Sequence, residues 1–97
     1  MLKASPLFTS RVVYPDGAVR EMVIWRLPTA DPERPHGLKY RLYYGSPDGK
    51  SMVLYDNERG KGDHRHVYGK EARYRFRDVE TLVADFQRDI NRVRRRS

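Results

Sequence analysis

The sequence predicts an α+β fold: an antiparallel β-meander of four to five strands with a C-terminal α-helix packed on one face. Three observations lead there. Segments rich in β-formers are separated by two strong turn signals, Pro15-Asp16-Gly17 and Ser46-Pro47-Asp48-Gly49. Leu38, Tyr40, Leu42 and Tyr44 alternate with Lys39 and Arg41, the period of a half-buried strand. Near the end of the chain the apolar period changes from two residues to that of a helix.

The elements follow in order within one domain, residues 1–97, since a chain of this length holds a single core. Strands are expected at 7–14 and 19–27, joined as a hairpin. The consecutive Val23, Ile24 and Trp25 put apolar side chains on both faces and suggest a more central strand. Three prolines make 28–37 a connecting loop. Strands at 38–45 and 51–56 form a second hairpin. The segment 56–66 reads as a charged loop. Ala72, Tyr74 and Phe76 alternate with Arg73, Arg75 and Arg77, which predicts a short strand over 72–77 with its arginines outward. Val79, Leu82, Val83, Phe86, Ile90 and Val93 form one helical stripe, predicting a helix over 79–94. Asp78 would be its N-cap, with Glu80 in the first turn and arginines in the last to match the helix dipole. The final Arg94-Arg95-Arg96 reads as a frayed tail.

No apolar run is long enough to span a membrane, and the first ten residues lack the apolar core of a secretory signal. The absence of cysteine excludes disulfides and thiolate metal sites. A cytoplasmic location is expected. The formal net charge is +7 and is uneven: residues 1–58 carry 8 basic and 7 acidic side chains, residues 59–97 carry 12 and 6. A basic field confined to one part of a small domain attracts polyanions, nucleic acid first among them. Fifteen of the 20 basic residues are arginine, whose planar fork grips phosphate, although a GC-rich genome also favours arginine.

Residues 56–66 concentrate the chemistry: Asp56, Asn57, Glu58, Arg59, Lys61, Asp63, His64, Arg65 and His66, with Gly60 and Gly62 between them. Charge at that density is costly to bury and belongs at an exposed site that uses it. His64 and His66, two apart, share one side of an extended chain with α-carbons about 6–7 Å apart. Two histidines on one surface can supply the general base and general acid that metal-independent RNA cleavage needs. Lys61 and Arg65 would stabilise charge on the phosphorane, and Asp56 or Asp63 would fix a histidine tautomer. Arg59, Arg73, Arg75 and Arg77 would track phosphates, although outward arginines also protect an edge strand. No cofactor is expected. Two readings compete with catalysis here. His-x-His with Asp56 and Asp63 could bind a divalent metal, against repulsion from Lys61, Arg65 and Arg59; or the segment is simply a solvated loop.

The stretch Tyr55-Asp56-Asn57-Glu58-Arg59-Gly60-Lys61-Gly62-Asp63-His64-Arg65-His66 resembles the signature of the TumE toxin family of toxin–antitoxin modules. Asp16-Gly17-Ala18, Glu21-Met22-Val23-Ile24-Trp25-Arg26-Leu27-Pro28, His36 and Lys39-Tyr40-Arg41-Leu42 extend the likeness. So do Tyr74-Arg75-Phe76, Val79-Glu80 with Leu82, and Asp85-Phe86. The resemblance implies a toxin encoded beside a helix-turn-helix antitoxin, acting by RNA cleavage or another interference with translation. The expectation is thus an RNA-targeting endoribonuclease toxin that meets RNA, free or on the ribosome, and a cognate helix-turn-helix antitoxin, with no membrane partner. The alternatives are a non-catalytic nucleic-acid or ribosome-binding domain and a module that only co-folds with its partner. The sequence assigns no oligomeric state.

Overall fold

Both Pro-Asp-Gly segments make the hairpins expected of them. In the computed structural model, which describes residues 3–58 and 60–96, β1 (Ser5–Val13) turns into β2 (Val19–Arg26). The turn is closed by Tyr14 N–H donating to Ala18 O (2.8 Å) and by Asp16 Oδ1 accepting from Ala18 N–H (3.0 Å). β3 (Leu38–Gly45) turns into β4 (Ser51–Asp56) through a loop closed by Ser46 N–H on Lys50 O (2.9 Å). β5 (His64–Val67), β6 (Lys70–Arg73) and the helix α1 (Val79–Arg96) follow. The six strands pair in chain order, β1-β2-β3-β4-β5-β6, every neighbour antiparallel.

Two boundaries differ from the sequence expectation. The loop expected over 56–66 is shorter, because His64–Val67 is a strand paired with β4 and Asp56 is the last residue of β4. The strand expected over 72–77 is instead Lys70–Arg73, and the chain leaves the sheet after one further backbone contact, Tyr74 N–H donating to Asp63 O at 3.1 Å. Its partner β5 is only four residues long, so the ladder stops at His64↔Arg73. The in–out alternation survives that stop: Tyr74 and Phe76 are half-buried against the core, while Arg73, Arg75 and Arg77 are exposed. β5 and β6 are joined by the two-residue turn Tyr68-Gly69, with φ of 53° and 76°. Positive φ at both positions belongs to the type I′ turn, whose twist matches that of the strands it joins.

The core lies between one sheet face and the helix. Met22 and Ile24 of β2, Tyr40, Leu42 and Tyr44 of β3, and Val53 and Tyr55 of β4 meet Leu82, Phe86, Ile90 and Val93 of α1. Burying each such large apolar side chain contributes about 1.5–3 kcal/mol. Asp78 caps the helix as expected, its Oδ1 accepting from Thr81 N–H at 2.7 Å, and this contact holds its carboxyl below the usual range. The C-terminal arginines are not a frayed tail. α1 runs to Arg96, and the Arg94 guanidinium donates to Tyr44 Oη (2.8 Å), pairs with Asp16 (3.2 Å) and lies over the Tyr14 ring.

The helix crosses β4 and leaves β1 uncovered. Leu7, Phe8 and Val13 are exposed, and an open groove lined by Phe8, Met22, Val79 and Val83 runs between β1–β2 and the first turns of the helix. No helix among the described residues is long and apolar enough to cross a membrane.

Candidate active site

Pairing register decides which side chains meet. Residues directly opposite in an antiparallel sheet point to the same face. Arg41, Asp56, His64 and Arg73 therefore form one row across β3, β4, β5 and β6. Tyr43, Leu54, His66 and Glu71 form the next. Both rows lie on the sheet face opposite the helix, so the two imidazoles converge as the His-x-His spacing requires. Their ring centroids are 5.3 Å apart with planes at 77°.

His64 is nearly buried, and its surroundings are polar. Nδ1 lies 2.9 Å from Gly62 O, a group that only accepts, so Nδ1 carries a proton and donates it. Nε2 then faces two carboxylates, Asp56 Oδ1 at 2.5 Å and Glu71 Oε1 at 3.8 Å. The Asp56 contact is close without the alignment of a hydrogen bond, and Oδ1 is buried with no hydrogen-bond partner. A neutral ring with its proton on Nδ1 would aim a bare lone pair at both carboxylates. A cation at Nε2, whether proton or metal, converts that repulsion into attraction.

His66 is the more accessible of the pair, with 30% of its side chain exposed, and its Nε2 is 3.5 Å from Glu71 Oε1. The exposed Lys61 reaches the same oxygen at 3.7 Å. Glu71 thus joins both histidines and the lysine, yet it lies outside the segment that sequence reasoning singled out. Reading Tyr68-Gly69 as a two-residue hairpin turn would have found it, because that turn sets Glu71 opposite His66.

Arg65 and Asp63 do not join the histidines. As the alternate residue of β5, Arg65 points through the sheet to the helix side. There it donates to Tyr55 Oη (3.2 Å) and Asp89 Oδ2 (3.1 Å). The hydrogen bond with Tyr55 and then the Asp89 charge hold the guanidinium more firmly protonated. Asp89 is buried within the apolar stripe of α1 and also accepts from Tyr55 Oη; burial and that bond push the Tyr55 phenol up to about 12. Asp63 accepts from Tyr40 Oη at 2.9 Å and from His36 Nε2 at 3.2 Å. The His36 tautomer follows from Leu38 N–H donating to its Nδ1, which leaves the ring proton on Nε2. Burial, with Asp63 alongside, raises the Tyr40 phenol and keeps it a donor. His36 also packs on Phe76, with centroids 4.1 Å apart. Asp63 therefore ties the loop to the core, and Asp56 alone of the two expected orienting carboxylates contacts a histidine of the pair.

Asn57 sets the height of the loop. It is fully buried, its Nδ2 donating to Leu38 O (2.9 Å) and its Oδ1 accepting from Tyr40 N–H (3.0 Å). The side-chain amide continues the β3–β4 ladder one residue past its end. Of the expected phosphate contacts, Arg73 shares the row of His64, Arg75 and Arg77 are exposed beyond it, and Arg59 lies outside the described residues.

The family model described as Toxin TumE matches residues 3–94. No curated protein and no solved structure gives a match. A match over nearly the whole chain includes the strands that carry the histidine pair and the helix that supports them, and the chain belongs to the TumE toxin family.

Proposed function

We propose that this toxin acts on RNA as a metal-independent endoribonuclease, with His66 and His64 as its general base and general acid. The observation that supports the reading is the convergence of the two imidazoles on the helix-free face, 5.3 Å apart and beside Lys61 and Arg73. His66, the more exposed, removes the 2′-hydroxyl proton. The 2′-oxygen attacks phosphorus, and His64 returns a proton to the departing 5′-oxygen. Asp56 orients His64, and Lys61 with Arg73 offsets charge on the phosphorane. Arg75 and Arg77 extend a cationic path for the strand, with Arg59 a further candidate. The substrate is RNA, free or on the ribosome, and the outcome is inhibited translation or growth in the cytoplasm. The cognate antitoxin is a helix-turn-helix protein that presents acidic or apolar surface to this basic one.

The test is expression of wild type, His64→Ala and His66→Ala with mapping of RNA ends. Growth arrest with new ends bearing 2′,3′-cyclic phosphate is expected from wild type alone, and RNA with 2′-deoxy at the scissile position should survive. Arrest that persists in both variants overturns the acid–base assignment. It favours the second reading, a non-catalytic nucleic-acid or ribosome-binding domain. That reading draws on the burial of His64, whose side chain is only 7% exposed. Under it, loss of Arg73, Arg75 and Arg77 abolishes function while loss of either histidine weakens it slightly.

A further inference from the structure

We propose that His64, His66 and Glu71 form a binding site for a divalent transition metal, and that an ion bound there switches the toxin off. His64 Nε2, His66 Nε2 and a Glu71 carboxylate oxygen all lie within 4.8 Å of one another. A tetrahedral zinc ion with bonds near 2.0–2.2 Å holds its ligand atoms about 3.4 Å apart. The two contacts to Glu71 Oε1, 3.5 Å and 3.8 Å, are already close to that spacing. Two imidazoles and one carboxylate on a single face suit zinc, nickel or manganese, and a water completes the shell.

Two independent features point the same way. The Gly62 carbonyl accepts the Nδ1 proton of His64 and so frees Nε2 to ligate, the backbone-carbonyl support that metal-bound histidines recurrently have. The buried Asp56 Oδ1, 2.5 Å from Nε2 and without a hydrogen bond, is too close to that nitrogen to share the ion as a ligand, but it places a second carboxylate charge beside the site. The charge also closes: a divalent ion neutralises Asp56 and Glu71. The repulsion expected from the sequence is weaker than the charge pattern implied, because Arg65 is turned through the sheet to Asp89. Lys61 remains, 3.7 Å from Glu71 Oε1, as a competitor for that oxygen.

The ion would occupy the nitrogen lone pairs that proton transfer needs. Binding itself is independent of the proposed RNA cleavage; the inhibition rests on it. Zinc binding is measured on protein stripped of metal, by competition with a chromophoric chelator, for wild type, His66→Ala, Glu71→Gln and Lys61→Ala, each checked for folding by circular dichroism. One ion per chain is expected. The loss of affinity in Glu71→Gln and His66→Ala should be at least about 10–100-fold, the scale seen when even supporting groups of metal sites are removed. Lys61→Ala should bind more tightly, because it removes the ammonium that competes for Glu71 Oε1. No binding by wild type, or binding unchanged in Glu71→Gln, overturns the site. Should His66→Ala fail to fold, Glu71→Gln decides. Added zinc should also suppress RNA cleavage reversibly on chelation. Zinc bound with cleavage unaffected overturns the switch, whereas zinc bound by a protein that never cleaves RNA retires the cleavage reading and leaves the site standing.

Discussion

Arg65 sits between His64 and His66 in sequence, yet its side chain and theirs serve opposite faces of the same sheet. On the helix-free face the imidazoles, Asp56 and Glu71 crowd together with a buried oxygen that lacks a hydrogen bond and with competing charges. On the helix face Arg65, Tyr55 and Asp89 satisfy one another beneath α1. One strand thus carries a group of residues under electrostatic tension and, one residue away, a group at rest. Tension of that kind is tolerated where groups must exchange protons or ions, and the settled network opposite supplies the rigidity that holds it.

The comparison can be broken most sharply by exchanging the effects of neighbouring substitutions. His66→Ala should lower RNA cleavage by about 10²–10⁴-fold while shifting unfolding free energy by no more than about 0.5 kcal/mol. Cleavage by end mapping and stability by urea titration give the two readings. Arg65→Ala should do the reverse. It leaves Asp89 buried with Tyr55 Oη as its nearest remaining partner, costs about 1–3 kcal/mol, and leaves cleavage per folded molecule within a few-fold. If Arg65→Ala abolished cleavage at full stability, the division between faces would be wrong.

A smaller effect is expected along the cationic path. Each of Arg73→Ala, Arg75→Ala and Arg77→Ala should weaken binding of single-stranded RNA without regard to sequence. Each should also reduce the slope of log affinity against log salt by about 0.7, the value for one phosphate contact. Slopes unchanged in all three variants would rule out the phosphate path and leave only Arg73, on the edge strand β6, in the role of edge protection.

Much of the architecture is legible from the chain. The two Pro-Asp-Gly turns, the alternation through β3 and the stripe from Val79 to Val93 are local patterns, and each element appears where its pattern places it. The β5–β6 hairpin is not legible in that way. His64–Val67 is short and mostly polar, so it lacks the β-branched run that marks a strand, and Tyr68 is an uncommon residue at positive φ. Missing that hairpin hid Glu71 and left Arg65 grouped with the histidines, since strand alternation is what separates them. The convergence of His64 with His66 follows from their spacing once that segment is extended, as it is in β5. The attachment of Asp63 to His36 and Tyr40 does not, because those partners are 27 and 23 residues away and meet only once the sheet has formed.

The least dramatic effect tests the resting side. Tyr55 has its phenol raised to about 12 by burial and by Asp89, above the ordinary value of 10.0, and Tyr40 and Tyr74 are raised as well, first by burial. A folded-state value above the unfolded one means that the folded form keeps its proton longer. The stability from this source is fully present below pH 10 and declines between about 10 and 12 as the unfolded phenols ionise. Urea midpoints that fall across this window, less steeply in Tyr55→Phe, would bear this out; midpoints independent of alkali would not.

The turn at Tyr68-Gly69 fixes more than a change of direction. With two residues at the bend, the four positions between His66 and Glu71 become an invariant interval, because one inserted residue would rotate Glu71 to the wrong side of the ribbon. Kindred toxins that keep this chemistry should therefore conserve the count of residues between imidazole and carboxylate more strictly than the identity of the residues that fill it.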